Sequence, residues 1–111
     1  MIASREDAFE ITNADATGPA VIVCEHASNH IPPAYDGLGL DWSARESHVA
    51  WDPGAEGVAR RLAATLEAPM IAGRISRLVY DCNRPPEASS AIPETSDSIE
   101  VPGNQGLSRA A

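Results

Sequence analysis

Three short polar clusters hold nearly every residue in this sequence that could do chemistry. The first, Glu25-His26-Ala27-Ser28-Asn29-His30, directly follows the unbroken apolar run Ala20-Val21-Ile22-Val23-Cys24. The second, His48 to Asp52, leads into a helical pattern, and the third, Asp81-Cys82-Asn83-Arg84, follows Leu78-Val79-Tyr80. Together they offer His26, His48, Asp52, Arg77, Asp81 and Arg84 on what reads as one rim of a sheet. Imidazole nitrogen and carboxylate oxygen suit a zinc ion that keeps one position for water. Such a metal lowers the pKa of that water and polarises a carbonyl oxygen. An arginine beside it stabilises the oxyanion of a tetrahedral intermediate. A second arginine, paired with an asparagine amide, holds a substrate carboxylate through its planar fork.

Each of these residues also has a plainer reading. A histidine after a buried strand is often just a hydrogen-bonded loop residue. Asp52 is fully explained as the N-cap of the helix that follows it. His30, before Ile31-Pro32, reads as solvated. Arg74, Arg77 and Arg84 lie within eleven positions of one another. They either converge on one pocket or sit solvated at strand ends. Cys24 invites a nucleophilic role because Glu25 and His26 follow it, but that needs an accessible thiolate. Inside an apolar run, Cys24 and Cys82 read instead as small buried hydrophobes, and no C-x-x-C motif is present.

The elements that must position these groups follow from the apolar pattern. Residues 1–19 read as a lead-in in which Phe9-Glu10-Ile11 could form a short edge strand. The β-branched run ending at Cys24 has the character of a strand buried on both faces of a parallel sheet. Trp42 to Ala50 suggests a short helix capped by Ser43, with Glu46 in capping-box spacing. A longer helix follows, with Asp52 as its cap and Pro53 in its first turn. Val58, Leu62 and Leu66 form its apolar stripe, with Ala55, Ala59 and Ala63 beside them, and Pro69 ends it. Met70-Ile71-Ala72 reads as a second core strand and Leu78-Val79-Tyr80 as a third. Strand, helix and strand at this spacing predict a right-handed parallel crossover. Clusters at the C-terminal ends of such strands stand where open α/β sheets hold their ligands. Residues 87–111, rich in Pro, Ser, Glu and Gly, read as an extended or disordered tail.

The 111 residues make one domain with a modest core, and at 43% hydrophobic but 5% aromatic it must be built from Ala, Val, Leu and Ile. The net charge is −8 and all eight basic residues are arginine, a balance that argues against nucleic acid as a partner. No apolar run approaches the ~20 residues of a membrane span. The acidic start Met1 to Asp7 lacks the apolar stretch of a secretory signal, so a cytoplasmic location is expected. With one convincing long helix, one face of the sheet is expected to lie open, to be covered by self-association as a homo-oligomer or by a partner chain.

Several long blocks, in order, carry a resemblance. Cys24-Glu25-His26-Ala27-Ser28-Asn29, His48-Val49-Ala50-Trp51-Asp52-Pro53-Gly54-Ala55, Ser76-Arg77-Leu78-Val79-Tyr80-Asp81-Cys82-Asn83-Arg84-Pro85 and Val101-Pro102-Gly103-Asn104 resemble the N-formylglutamate amidohydrolase family. The resemblance implies an α/β fold with a partial parallel or mixed sheet flanked by helices, the truncated core of a zinc exopeptidase- or aspartoacylase-like hydrolase. It implies that His26 binds zinc and that Asn83 and Arg84 grip the substrate carboxylate. Arg77 would polarise the scissile carbonyl. Asp52 is favoured as the second metal ligand, because Asn29 stands where related hydrolases place a glutamate. Glu25, His48 and Asp81 are placed behind these groups, with Asp81 holding Arg84 or its loop. The reaction implied is hydrolysis of N-formyl-L-glutamate, or a similar N-acyl amino acid, to the amino acid and a small acid. Related enzymes draw a further histidine ligand and a catalytic carboxylate from a second half that does not follow Ala111. The chain alone is therefore expected to be inactive, and a non-catalytic carboxylate-binding module is the alternative.

Overall fold

Two apolar runs become neighbouring parallel strands, and the helix between them returns the chain from one to the other. The computed structural model describes residues 7–107. Strand β1 (Phe9–Thr12) runs antiparallel along one edge of β3 (Met70–Gly73), and β2 (Ile22–Cys24) runs parallel along the other. The order β1-β3-β2 makes a mixed sheet with β3 in the centre. Helix α1 (Trp42–Glu46) and helix α2 (Ala55–Leu66) lie between β2 and β3 in the chain.

Helix α2 packs on the sheet through a different stripe from the one its pattern suggested. Ala59 and Ala63 are buried against Cys24, Met70 and Ala72, with Ala55 packed beside them. Val58, Leu62 and Leu66 are exposed. Small side chains let the helix lie close on the short strands, and the larger aliphatic stripe is turned about a quarter-turn away. The helix start also differs from expectation. Gly54, at φ 85°, is the N-cap without a side-chain hydrogen bond, so Asp52 is free of the capping role. In α1 the cap is Asp41, not Ser43, because the Asp41 carboxylate accepts the Ala44 N–H at 2.8 Å. That helix ends at Glu46, four residues short of Ala50.

The expected third strand, Leu78–Tyr80, is a turn. The Val79 N–H donates to the Ser76 carbonyl at 3.0 Å and the Leu78 N–H to Ser76 Oγ at 3.2 Å. The Leu78 carbonyl accepts from Asn104 Nδ2 at 2.7 Å. Side chains thus satisfy the backbone groups that a neighbouring strand would have paired. Leu78 itself anchors a second core with Ile31, Leu38, Val49, Ala50 and Val101. Buried Ser76 ties three loops together there. Its N–H donates to the His30 carbonyl at 2.7 Å and its hydroxyl to the Ala50 carbonyl at 2.8 Å.

Residues 87–107, expected to be a loose tail, pack onto that second core. A hairpin of β4 (Thr95–Ser96) and β5 (Ile99–Glu100) turns at Asp97 and Ser98, both at positive φ, as a two-residue hairpin loop requires. Ala91, Val101 and Asn104 are buried, which fixes the segment despite its polar composition. Residues 108–111 lie outside the described residues, as do Met1 to Glu6 of the acidic start. No helix among the described residues is long and apolar enough to cross a membrane.

This packing sets a contrast between two neighbouring positions on α2. Ala63→Leu forces a large side chain into the helix–sheet contact and should cost about 1–3 kcal/mol of unfolding free energy. Leu62→Ala removes an exposed side chain and should change it by no more than about 0.5 kcal/mol. Urea unfolding of both variants measures the pair, and a larger loss at Leu62 would mean that the helix faces the sheet the other way round.

Candidate active site

Loops leaving β2, preceding α2 and following β3 meet over the second core, and the polar clusters ride on them. Gly73 ends β3 where the chain from β2 passes so closely that a Cβ would lie 2.5 Å from the Glu25 carbonyl oxygen. The first loop is then held to the one before α2 by the Asp52 N–H, which donates to the His26 carbonyl at 2.9 Å. Ser76 completes the set. The result is a frame in which the His26 side chain meets those of Asp52, Arg77 and Asp81.

His26 is the centre of that contact. Its Nε2 lies 2.8 Å from Asp81 Oδ1, and both side chains are nearly buried. An ionised carboxylate only accepts, so this bond places the proton on Nε2. In the neutral ring Nδ1 is then the unprotonated nitrogen, able to accept from Arg77 Nη1 at 3.2 Å, with Asp52 Oδ2 3.3 Å away. Arg77 Nη1 also lies 3.3 Å from Asp52 Oδ1. A carboxylate gripping one ring nitrogen is the arrangement that orients metal-binding imidazoles, and here the other nitrogen meets Arg77 and Asp52.

Asp81 keeps its charge in spite of its position. Burial pushes its carboxyl pKa up. The hydrogen bond from His26, the Asn83 N–H at 3.0 Å and the nearby positive charge of Arg84 outweigh burial and hold it below the usual carboxylate value. Both thiols move the other way. Burial, helped by Glu56, Glu25 and Asp52, raises Cys24, and burial with Asp81 and Glu25 raises Cys82. Cys24 therefore stays a thiol in the core and has no nucleophilic character.

Arg77 is braced by backbone. Its Nε donates to the Val49 carbonyl at 3.0 Å and its Nη2 to the His48 carbonyl. These two carbonyls were not legible as site groups, because nothing in a sequence marks an acceptor carbonyl. Asn83 and Arg84 sit exposed on the adjoining turn, where the Arg84 N–H donates to the Asp81 carbonyl at 3.1 Å and Nη1 to the Asn83 carbonyl at 2.9 Å. Their outer polar atoms remain available to a ligand.

Two expected placements differ. The His48 imidazole turns outward to Asp97 Oδ2 at 2.8 Å and contributes only its carbonyl. Glu25 lines a separate cavity with Tyr35, Tyr80 and Cys82. Asp81 holds the Asn83–Arg84 loop as expected, accepting the Asn83 N–H on Oδ1 and the Arg84 N–H on its carbonyl, and holds His26 in addition. Asn29 donates to the Arg45 carbonyl at 2.9 Å, a structural bond. Arg74 is separate as well, paired with Glu10 Oε2 at 3.1 Å. None of the four surface cavities of about 370–570 Å³ is lined by His26, Arg77 or Asp81.

The donors present test the expected zinc. Among the described residues no three His, Cys, Asp or Glu side chains converge as a metal would need. His26 Nδ1 and Asp52 make two donors, one fewer than the three protein ligands of a catalytic zinc site. The described residues alone do not build one.

Comparison with known proteins bears on the same residues. The sequence model of a family described as N-formylglutamate amidohydrolase matches residues 18–110. No curated protein matches the chain. A crystal structure of a gene product from Agrobacterium tumefaciens is 49% identical and superposes with a TM-score of 0.93. That alignment covers 96% of this chain and 42% of the other, so the chain spans less than half the length of that relative.

The His26–Asp81 pair should be visible in the pH dependence of stability. A carboxyl lowered on folding contributes stability that is fully present above its unfolded pKa of about 3.9. That contribution is lost as the pH falls through the lower folded value. Asp81→Asn should therefore be less stable than the parent by about 1–2 kcal/mol at neutral pH. The gap should close below about pH 4. Urea unfolding at stepped pH measures it, and a gap that persists undiminished at the lowest pH would refute the pairing.

Proposed function

The chain belongs to the N-formylglutamate amidohydrolase family, and we propose that it carries the carbonyl-polarising and carboxylate-gripping part of an amidase site. The substrate in this reading is N-formyl-L-glutamate or a similar N-acyl amino acid, and the products are the free amino acid and a small acid such as formate. One observation carries it. The His26 ring is fixed by Asp81 with its Nδ1 turned toward Asp52 and Arg77, and Asn83 and Arg84 stand exposed on the next turn.

The roles follow from what each group has left to give. Arg84 presents a planar fork that matches a substrate carboxylate, and the Asn83 amide adds a neutral donor beside it. Arg77 has five N–H bonds. Two are spent on the Val49 and His48 carbonyls, and Nη1 faces His26 and Asp52. At least one N–H of Nη2 is left to meet the amide oxygen as it gains negative charge. A donor already held by backbone loses little freedom when it does so. Water adds to the amide carbon, the C–N bond breaks, and the departing amine takes a proton.

The same reading includes a divalent metal, zinc being the best fit to imidazole and carboxylate donors. His26 Nδ1 and Asp52 would be its ligands from this chain, with at least one more donor from other polypeptide. When bound, it would supply an activated water and help polarise the carbonyl. Kinship with zinc exopeptidases and aspartoacylase-like hydrolases belongs to this proposal too.

Binding and turnover separate the roles. Titration of N-formyl-L-glutamate into the chain, followed by nuclear magnetic resonance, should show a loss of roughly 10- to 100-fold in affinity for Arg84→Lys, about 1.5–3 kcal/mol. Turnover is measured on this chain joined to the part of the Agrobacterium tumefaciens protein that it does not match. There His26→Ala should abolish formate release and leave carboxylate binding within a few fold. Binding that ignores Arg84→Lys would contradict the grip. Arg84-dependent binding without turnover in the joined protein would make the chain a carboxylate-binding module.

A further inference from the structure

One nitrogen of the site has two claims on it. His26 Nδ1 is the nitrogen assigned to a metal above, and the same atom lies 3.2 Å from Arg77 Nη1. A neutral imidazole carries one lone pair on its unprotonated nitrogen. That pair either accepts an N–H of Arg77 or is given to a cation. It cannot do both at once. Asp52 has the same double use, with Oδ1 3.3 Å from Arg77 Nη1 and Oδ2 3.3 Å from His26 Nδ1. Two ligands bound at about 2.0–2.2 Å to a tetrahedral zinc stand about 3.3–3.6 Å apart. Nδ1 and Oδ2 are therefore already at the spacing of a ligand pair, and Nη1 touches both residues. An arginine cannot be deprotonated in a protein, so the positive charge that Nη1 brings there is permanent.

The contact is confined to one limb of Arg77. Nε donates to the Val49 carbonyl at 3.0 Å and Nη2 to the His48 carbonyl. Both carbonyls belong to the segment that leads to Asp52, and the Ser76 hydroxyl secures the next one, that of Ala50, at 2.8 Å. A planar guanidinium held at two nitrogens can still tilt about the line that joins them, and the tilt moves the third. Nη1 is thus the limb that can turn away while the side chain keeps its anchors. Repulsion between a divalent ion and the guanidinium drives it in that direction.

We propose that Arg77 Nη1 and a divalent cation are alternative occupants of the His26–Asp52 pair, and that the Nη1 limb turns out of the pair when the cation binds. Arg77 is then a placeholder, a positive charge that keeps an imidazole and a carboxylate at ligand spacing. Turned out, Nη1 adds its N–H groups to the one already left on Nη2. On the amidase reading, on which this last consequence alone rests, those donors meet the amide oxygen. Cation binding and the arming of the oxyanion donor become one event.

Zinc chloride titrated into the 111-residue chain tests the exchange without any substrate, with ring and guanidinium nitrogens followed by nuclear magnetic resonance. In the parent, the shift of His26 Nδ1 should come with faster solvent exchange of the Nη1 protons. The Nε proton should stay protected by the Val49 carbonyl. Arg77→Leu removes the competing donor and should tighten zinc binding at Nδ1 by about 10-fold, the equivalent of one hydrogen bond. Arg84 acts on Asp81 by its charge without a contact to His26 or Asp52. Arg84→Leu should therefore change zinc affinity by less than about 3-fold, because an exposed charge is screened. If Arg77→Leu does not fold, the exchange pattern of the parent decides alone. Nη1 protons that stay protected while Nδ1 binds zinc would overturn the proposal. So would an Arg77→Leu affinity no higher than the parent's, or an equal gain from Arg84→Leu, which would reduce the effect to net charge. Zinc that leaves Nδ1 unmoved in every variant overturns it as well. Formate release by the joined protein judges the amidase reading separately.

Discussion

The hydrogen bond between His26 Nε2 and Asp81 Oδ1 is the constraint on which the site depends. It joins the loop after β2 to the turn after residues 77–79, two segments fifty-five positions apart in the chain. Because both side chains are nearly buried, the carboxylate has few other partners and cannot leave without exposing a charge to the core. It also decides which imidazole nitrogen is bare. With the proton fixed on Nε2, every other group in the cluster is arranged about Nδ1.

That bond holds its geometry because the scaffold beneath is tied by backbone and small polar side chains more than by a large core. Ser76 links the loops bearing His30 and Ala50, and Asn104 bridges the Leu78 and Pro93 carbonyls. Each is buried and spends its polar atoms on backbone groups that no strand pairs. Arg77 then acquires its direction from the carbonyls of Val49 and His48. A guanidinium held in this way is already aimed before any ligand arrives, which is the condition for electrostatic preorganisation.

The sequence made the local pieces legible and hid the long-range ones. Ile22–Cys24, Met70–Gly73 and the helix between them follow from β-branched runs and from i, i+4 spacing. The polar clusters after the strands were equally visible. Leu78-Val79-Tyr80 carries the same apolar signature as a strand, yet Ser76 and Asn104 capture its backbone and leave a turn. In α2 the pattern shows two apolar stripes, and size alone does not reveal that the alanines win the sheet. Asp52 looked like a cap because its position suits one, and Gly54 removes that need by adopting a left-handed conformation. His48 stands in the right block, but its imidazole goes to Asp97 on a hairpin whose position no local pattern encodes.

The most direct measurement is the tautomer of His26 in the chain at neutral pH, read from its ring nitrogen chemical shifts by nuclear magnetic resonance. The geometry predicts a proton on Nε2, protected from exchange by Asp81, and a bare Nδ1 in the neutral ring. Adding zinc to the chain joined to the part of the Agrobacterium tumefaciens protein that it does not match should then perturb Nδ1 and leave the Nε2 proton in place. A ring protonated at Nδ1, or one whose Nε2 responds to the metal, would contradict the assignment of Nδ1 as the working nitrogen.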